Sequence, residues 1–488
     1  MSSTPGYPPG EVMPSWPHQR EAFKLCMDGR ATMLDIPMGL GKTKIVIDVA
    51  CQRARAMPTV VLVLCPKAVM GVWPLDMKKH VHDDVNATVW LPRKSWSGAR
   101  RAKELADTLD DHMQHAGVGD LLVVVINYES ARGAALGAAP RKPRGFLPRQ
   151  HWDLVVLDES QKCKKPSGPT HALVKALEPM SSKRIAMSGT PFPQGPVDGW
   201  AQFRFLDRRV LGESFVAHRR HYCKLGGPQM NWVQGPINVE QFGRIIAPLT
   251  FHCHADAIDL PPLTVVERRF DLQPDERRIY DAMEKDFIAW IDSKEFRAGN
   301  VLTRLMRLSM IASGFAPMVD DDTGAEWTKR LGWSRRNAML EVFDELGPTE
   351  RSIIFTRFQQ ETLDVRTACL ERGNGMNNCD EISGLCNTVG PKWDGRHQHC
   401  VAQIQAGSLG IDLTAGRYTI FYGSTFDFAA YEQAKKRAHR FGQERACTAI
   451  HLIANGTVDE VAIDALKFKS TTADTINAVV DWYHERTK

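Results

Sequence analysis

Ala31-Thr32-Met33-Leu34-Asp35-Ile36-Pro37-Met38-Gly39-Leu40-Gly41-Lys42-Thr43 is the stretch on which the architecture turns. An apolar run, Ala31–Leu34, leads into a glycine-bearing turn, and Lys44–Arg55 beyond it reads as a helix. Strand, glycine loop and helix in that order form a cradle for a triphosphate. Gly39 and Gly41, with Leu40 between them, let the backbone turn tightly so that N–H groups point at phosphate oxygens. Lys42 is then placed to bridge the β- and γ-phosphates, and the Thr43 hydroxyl to coordinate Mg²⁺. The strict G-x-x-x-x-G-K-[ST] pattern is not met, because Ile36 occupies the position of its first glycine.

The same alternation of short apolar runs with helix-length segments continues through Val60–Cys65, Leu121–Ile126, Leu154–Leu157 and Arg184–Met187. Such runs predict buried parallel strands in an α/β sheet. The rhythm returns after Pro348 with Ser352–Thr356, Val401–Ala406, Tyr418–Tyr422 and Thr448–Ile453, and with helices at Phe358–Arg372 and Ala429–Phe441. Between the halves it is lost, and Pro274–Ser293 and Asn300–Ser313 read as helices. The expected organisation is a first α/β lobe over 1–195, a mainly helical insertion over 196–345 and a second lobe over 346–465. A helical tail over 466–488, with Thr472–Glu485 helical by pattern, is a possible brace onto the first lobe.

A nucleotide site needs carboxylates as well as a cradle. Leu154-Val155-Val156-Leu157 runs straight into Asp158-Glu159. Asp158 is expected to hold Mg²⁺ and Glu159 to polarise the attacking water as general base. On the far side of the chain, Gln433, Arg437 and Arg440 fall at i, i+4 and i+7, which predicts that all three project from one helical face. Arginines reaching a γ-phosphate would stabilise charge developing in the transition state.

Composition sets the surroundings. A chain of 488 residues exceeds one compact core. No window holds the roughly 18–20 uninterrupted apolar residues of a membrane span, and the Pro/Gly-rich start, Met1–Gly10, lacks a signal-peptide pattern. Eleven scattered cysteines read as reduced thiols, so a cytoplasmic location is expected, and a monomer before an obligate oligomer. The net charge of +5 permits a nucleic-acid partner without requiring one. Cys379, Cys386, His397, His399 and Cys400 lack metal-ligand spacing and read as unligated loop side chains, while His252, Cys253 and His254 show no fourth ligand. Mg²⁺ is the one metal expected.

Other stretches resemble the Swi/Snf-type ATPases of helicase superfamily two, in a compact form like bacterial or phage members. Trp16-Pro17-His18-Gln19 is similar to the family's aromatic–Gln entry motif, which implies that Gln19 reads the adenine edge. Leu64-Cys65-Pro66-Lys67 with Val72-Trp73 resembles motif Ia, Ile126-Asn127-Tyr128-Glu129 motif Ib, and Met187-Ser188-Gly189-Thr190-Pro191 motif III. Gln405-Ala406-Gly407-Ser408-Leu409-Gly410-Ile411-Asp412-Leu413-Thr414, with Tyr431–Gln443, resembles motifs V and VI. The resemblance runs from Trp16 to Glu460. It implies two RecA-like lobes, ATP bound also by Gly410, Asp412 and Gln433, and Arg437 and Arg440 as finger residues. Ser188, Thr190, Gly407 and Ser408 would couple hydrolysis to a grip on backbone phosphates.

The function implied is an ATP-dependent double-stranded DNA translocase with an unknown recruiting partner. A strand-separating or fork-remodelling DNA or RNA helicase, and an ATP-gated nucleic-acid-binding switch without productive turnover, are the alternatives. Two departures bear on this. Ile36-Pro37 replaces an acidic pair, and Asp158-Glu159-Ser160-Gln161 carries an amide where the family has histidine, which is expected to weaken coupling.

Overall fold

The computed structural model describes residues 15–467 except 68, 94, 134–144, 227–231, 254–259, 293–297, 320–325, 373–378, 391, 405–410 and 441. The segment beyond 467, including the expected helix Thr472–Glu485, lies outside the described residues, as do His254, Phe441, Gly407, Ser408 and Gly410. The chain divides into two compact units, 1–259 and 260–488.

In the first unit, β1 (Ala31–Asp35), β2 (Thr59–Cys65), β3 (Asn86–Trp90), β4 (Asp120–Asn127), β5 (Trp152–Asp158) and β6 (Ser181–Ser188) form most of one sheet. The hairpin β7 (Cys223–Gly226) and β8 (Trp232–Pro236) stands apart from it, while β9 (Thr250–His252) completes it. The sheet has seven strands in the order β3-β4-β2-β5-β6-β1-β9, and every pairing is parallel. Its central strands read as unbroken apolar runs because helices cover both faces. Leu62 and Leu64 of β2 enter one core, and Val61, Val63 and Cys65 the other. The second core is closed by α1 (Pro17–Asp28), α2 (Lys42–Ala54) and α3 (Val72–His80), through Ala22, Ile45, Val49 and Trp73. On the first face lie α4 (Gly98–His115) and the short α5 (Tyr128–Ala131), with Leu105, Leu109 and Tyr128 buried.

The second unit contains β10 (Leu263–Phe270), the hairpin β11 (Phe315–Val319) and β12 (Glu326–Arg330), then β13 (Ser352–Thr356), β14 (Cys379–Ile382), β15 (His399–Gln403), β16 (Tyr418–Phe421) and β17 (Cys447–Ala454). Six of them form a sheet in the order β10-β17-β16-β13-β15-β14. Its two faces again carry separate cores, with Ile353 and Phe355 on one and Ile354 on the other.

Two α/β lobes with parallel sheets are therefore present, as expected from the apolar rhythm. The stretch 196–345 is mainly helical, as expected, and also carries strands. It contributes β9 to the first sheet and β10 to the second, besides two hairpins. The segment around Cys379–Cys400 is likewise not a loop, since β14 and β15 pair within it.

Among the described residues no helix is long and apolar enough to cross a membrane. No group of three or more His, Cys, Asp or Glu among them is placed to hold a metal ion.

Candidate nucleotide site

In the first unit the site residues meet because three neighbouring parallel strands end at one level. Asp35 of β1 pairs with Ser188 of β6, and Met187 with Asp158 of β5. Strand spacing of about 4.8 Å therefore brings the three following loops side by side. Gly189 presses on the phosphate loop so closely that a Cβ there would lie 3.2 Å from the Met38 nitrogen.

The loop needs its glycines. Gly39 and Gly41 have φ of 86° and 74°, the left-handed region that L side chains rarely adopt. A Cβ on Gly41 would also fall 2.1 Å from Gln19 Nε2. Lys42 is buried and curls back into the turn, donating from Nζ to the carbonyls of Ile36 (2.8 Å) and Pro37 (3.3 Å). Its ammonium thus lies within the ring of backbone that would surround phosphate. Thr43, one residue on, makes no side-chain hydrogen bond to the described residues.

Gln19 is buried against this loop, its Oε1 accepting from the Trp16 N–H (3.0 Å) and its Nε2 donating to the Leu40 carbonyl (3.3 Å). His18 Nε2 approaches the same carbonyl at 2.9 Å.

Asp158 ends β5 in a buried position. Trp73 of α3 donates Nε1–H to its Oδ2 (3.2 Å), and the Tyr128 hydroxyl donates to its carbonyl (2.9 Å). Burial, and next the Glu159 carboxylate, push Asp158 up to about 7, while Lys42 and the Trp73 donor pull the other way. A buried carboxylate beside a second one and opposite a lysine suits a divalent cation carried on a triphosphate. The donor set of Thr43 and Asp158 fits Mg²⁺ in kind.

Glu159 has φ 51°, left-handed without being glycine. Such strain persists only where the surroundings impose it. Here the constraint includes Gln161, whose Nε2 donates to Glu159 Oε2 at 2.7 Å. The other end of that amide, Oε1, accepts from the Ser188 hydroxyl at 2.7 Å, and Ser188 Oγ accepts from the Thr190 N–H at 3.0 Å. The amide at 161 thus joins Glu159 to Ser188. Thr190 Oγ1 is buried without a hydrogen-bond partner among the described residues.

In the second unit the helix Phe428–Ala438 carries Gln433 and Arg437, and Arg437 is buried. Arg440 is not on it, which corrects the expected single face of three residues. The helix stops because His439 leaves helical geometry (φ −92°, ψ 82°) and its ring bonds the Pro261 carbonyl at 2.7 Å. Gln443 Nε2 then caps the Ala438 carbonyl and also serves those of Thr414 and Gly416. Arg440 Nε is buried with no hydrogen-bond partner among the described residues. Asp412 closes a turn, its Oδ1 accepting from the Thr414 N–H (3.0 Å) and Oγ1–H (2.7 Å). Gln433 makes no side-chain hydrogen bond among the described residues.

Two parts of this constellation were not legible beforehand. Trp73 stood in a motif-like stretch, yet nothing in its spacing shows that its indole N–H reaches Asp158. The reach of Tyr128 to the Asp158 carbonyl is equally a product of the fold.

Residues 18–313 match the SNF2-related domain, and 334–442 match the helicase conserved C-terminal domain. The chain belongs to the SNF2-related domain family. SNF2-related proteins are ATP-dependent, helicase-like enzymes. The chain is 24% identical, over 99% of its length and 52% of the relative's, to a putative ATP-dependent helicase/translocase, YwqA, of Bacillus subtilis. To the DNA annealing helicase and endonuclease ZRANB3 of Bos taurus it is 22% identical, over 94% of this chain and 40% of that one. It thus spans about half or less of these relatives. The SWI2/SNF2 ATPase core of Sulfolobus solfataricus, solved with double-stranded DNA, is similar at 21% identity and a TM-score of 0.41, covering 97% of this chain and 94% of that one.

Proposed function

We propose that this SNF2-related chain is an ATP-dependent double-stranded DNA translocase that remodels DNA or displaces bound proteins, hydrolysing ATP with residues drawn from both of its lobes. The observation that carries the reading is the run of hydrogen bonds Glu159–Gln161–Ser188–Thr190 beside the phosphate loop. It ties the group that would polarise the attacking water to the strand end that would hold a backbone phosphate. In this reading a change at one end reaches the other through three hydrogen bonds.

In this reading Gly39, Leu40 and Gly41 present N–H groups to the phosphates, Lys42 neutralises the β- and γ-phosphates, and Gln19 recognises the base. Mg²⁺ would be held by Thr43 and Asp158 and would supply neutralisation of phosphate charge. Glu159 orients and deprotonates water. From the second lobe, Arg437 and Arg440 stabilise transition-state charge, with Gly410, Asp412 and Gln433 completing the nucleotide contacts. Ser188, Thr190, Gly407 and Ser408 hold the DNA backbone without reading bases. The functional division is 1–195 and 346–465 for the lobes, 196–345 for the insertion and linker, and 466–488 for the brace. The chain acts as a monomer in the cytoplasm of a bacterial or phage-infected cell, brought to its DNA by a protein partner.

Hydrolysis rates with no nucleic acid, single-stranded DNA, duplex DNA and RNA test the reading. Strong stimulation by duplex alone is expected. Equal stimulation by single strands, with strand displacement, favours a separating helicase. No turnover under any condition leaves an ATP-gated switch.

A further inference from the structure

The loop 91–97 and the first turn of α4 carry a basic surface that the nucleotide chemistry does not use. Trp96 is partly buried against the first core, with the guanidinium carbons of Arg93 and Arg100 each 5.4 Å from its ring centroid. Trp90, the last residue of β3, packs against it with centroids 6.4 Å apart. An indole fixed by the core thus holds two planar cations in place. Neither is well neutralised. Arg93 has no acidic partner among the described residues. Arg100 has Glu104 at 3.5 Å, with 62% and 41% of the two side chains exposed, a pairing worth little in water.

Arg101 follows directly, its NH1 donating to Ser130 Oγ at 3.2 Å, which ties the patch to α5. The first turn of α4 contains no acidic residue. Arg100 and Arg101 therefore sit at the positive end of a helix, where cations are unfavourable. An anion at this place relieves both the dipole conflict and the crowding of like charge.

Placement says which anion. Trp90 pairs with Val124 of β4, and both strands run in the same direction. The loop therefore leaves the sheet at the same end as Asn127–Glu129, Ser188–Thr190 and the phosphate loop. We propose that Arg93, Arg100 and Arg101, steadied by Trp96, grip the phosphate backbone of nucleic acid at the outer edge of the first unit's sheet. The proposal rests on the reading above that the chain acts on nucleic acid, and extends that path past Asn127–Glu129. A guanidinium fork fits a phosphate bidentately, so the grip needs no base contact.

Binding of the full chain to a fluorescent duplex across a salt series tests this. Each arginine–phosphate contact contributes about 0.9 to the slope of log affinity against log salt. Arg93→Gln/Arg100→Gln should make that slope shallower by about 1.8, so that between 50 and 200 mM salt the variant loses about tenfold less affinity than the wild type. Hydrolysis without nucleic acid should stay unchanged. Arg93→Lys/Arg100→Lys should keep the slope while binding more weakly. If the Gln pair does not fold, Arg93→Gln alone, in an exposed loop, carries the test with a slope change of about 0.9. An unchanged slope in a folded variant overturns the proposal. So does lost binding of polyglutamate with duplex binding intact, which would assign the patch to an acidic protein. A wild-type chain that binds no duplex at any salt removes the parent reading instead, and the patch proposal with it.

Discussion

Lys42 and Glu159 serve different halves of the proposed chemistry, and their variants should separate. Lys42→Ala removes the cation from the phosphate loop and should abolish nucleotide binding as well as hydrolysis. Glu159→Gln keeps shape and hydrogen bonding but loses the base, so bound nucleotide should persist while turnover falls at least about 100-fold. Fluorescence titration with a nucleotide analogue beside a phosphate-release assay distinguishes them. Gln161 offers a finer test. Its amide donates to Glu159 and accepts from Ser188, which a neutral imidazole can also do and an alkyl group cannot. Gln161→His should retain most nucleic-acid-stimulated hydrolysis, and Gln161→Leu should lose stimulation more than basal rate. Equal losses in both variants would remove the bridge from the coupling.

At the scale of elements, the second unit is pinned by one buried arginine. Arg335 donates from NH1 to the Tyr422 carbonyl (2.7 Å) and the Leu452 carbonyl (3.0 Å), and from Nε to that of Ala312 (3.3 Å). NH2 pairs with buried Asp459. The strand β17, the residue that follows β16 and three helices (Ala298–Ala312, Ser334–Leu346 and Val458–Lys467) meet at this side chain. Arg335→Leu leaves Asp459 as an unpaired buried charge and should cost about 3–5 kcal/mol, read by urea denaturation. His399 of β15 gives a pH signature. Its ring stacks on Phe343 with centroids 4.2 Å apart, and burial pushes it down to about 4. The unfolded chain then binds the extra proton between the ordinary histidine value of 6.5 and about 4. The stability this residue contributes is complete above that window and is lost as pH falls through it, by up to about 3 kcal/mol. His399→Gln should flatten the melting-temperature profile between pH 6.5 and 4. A wild-type profile already flat there would contradict the assignment.

For the whole molecule, the proposal assigns catalytic roles to residues of both units, Arg440 among them. Arg440→Ala should therefore lower kcat by about 10³- to 10⁵-fold while nucleotide affinity of the folded chain changes little. Steady-state kinetics with saturating duplex checks this, and an unchanged kcat would take Arg440 out of the mechanism. The central strands were legible because burial on both faces leaves an uninterrupted apolar run, as in β2 and β5. The outer strands were not. Asn86–Trp90, Thr250–His252, Leu263–Phe270 and Cys379–Ile382 are short or half-exposed, and an edge strand needs no continuous apolar signal.

The chain's order of residues determined by itself the phosphate loop, the carboxylate pair at a strand end and the alternation that makes two α/β lobes. These are local patterns, set by backbone permissiveness at Gly39 and Gly41 and by periodic burial. Contacts between distant segments were decided only in three dimensions. The Trp73 donor on Asp158, the Gln161 bridge to Ser188 and the end of the helix at Ala438 join residues 5 to 85 positions apart. Hydrogen bonds of that reach depend on strand register and helix packing, which no local pattern records.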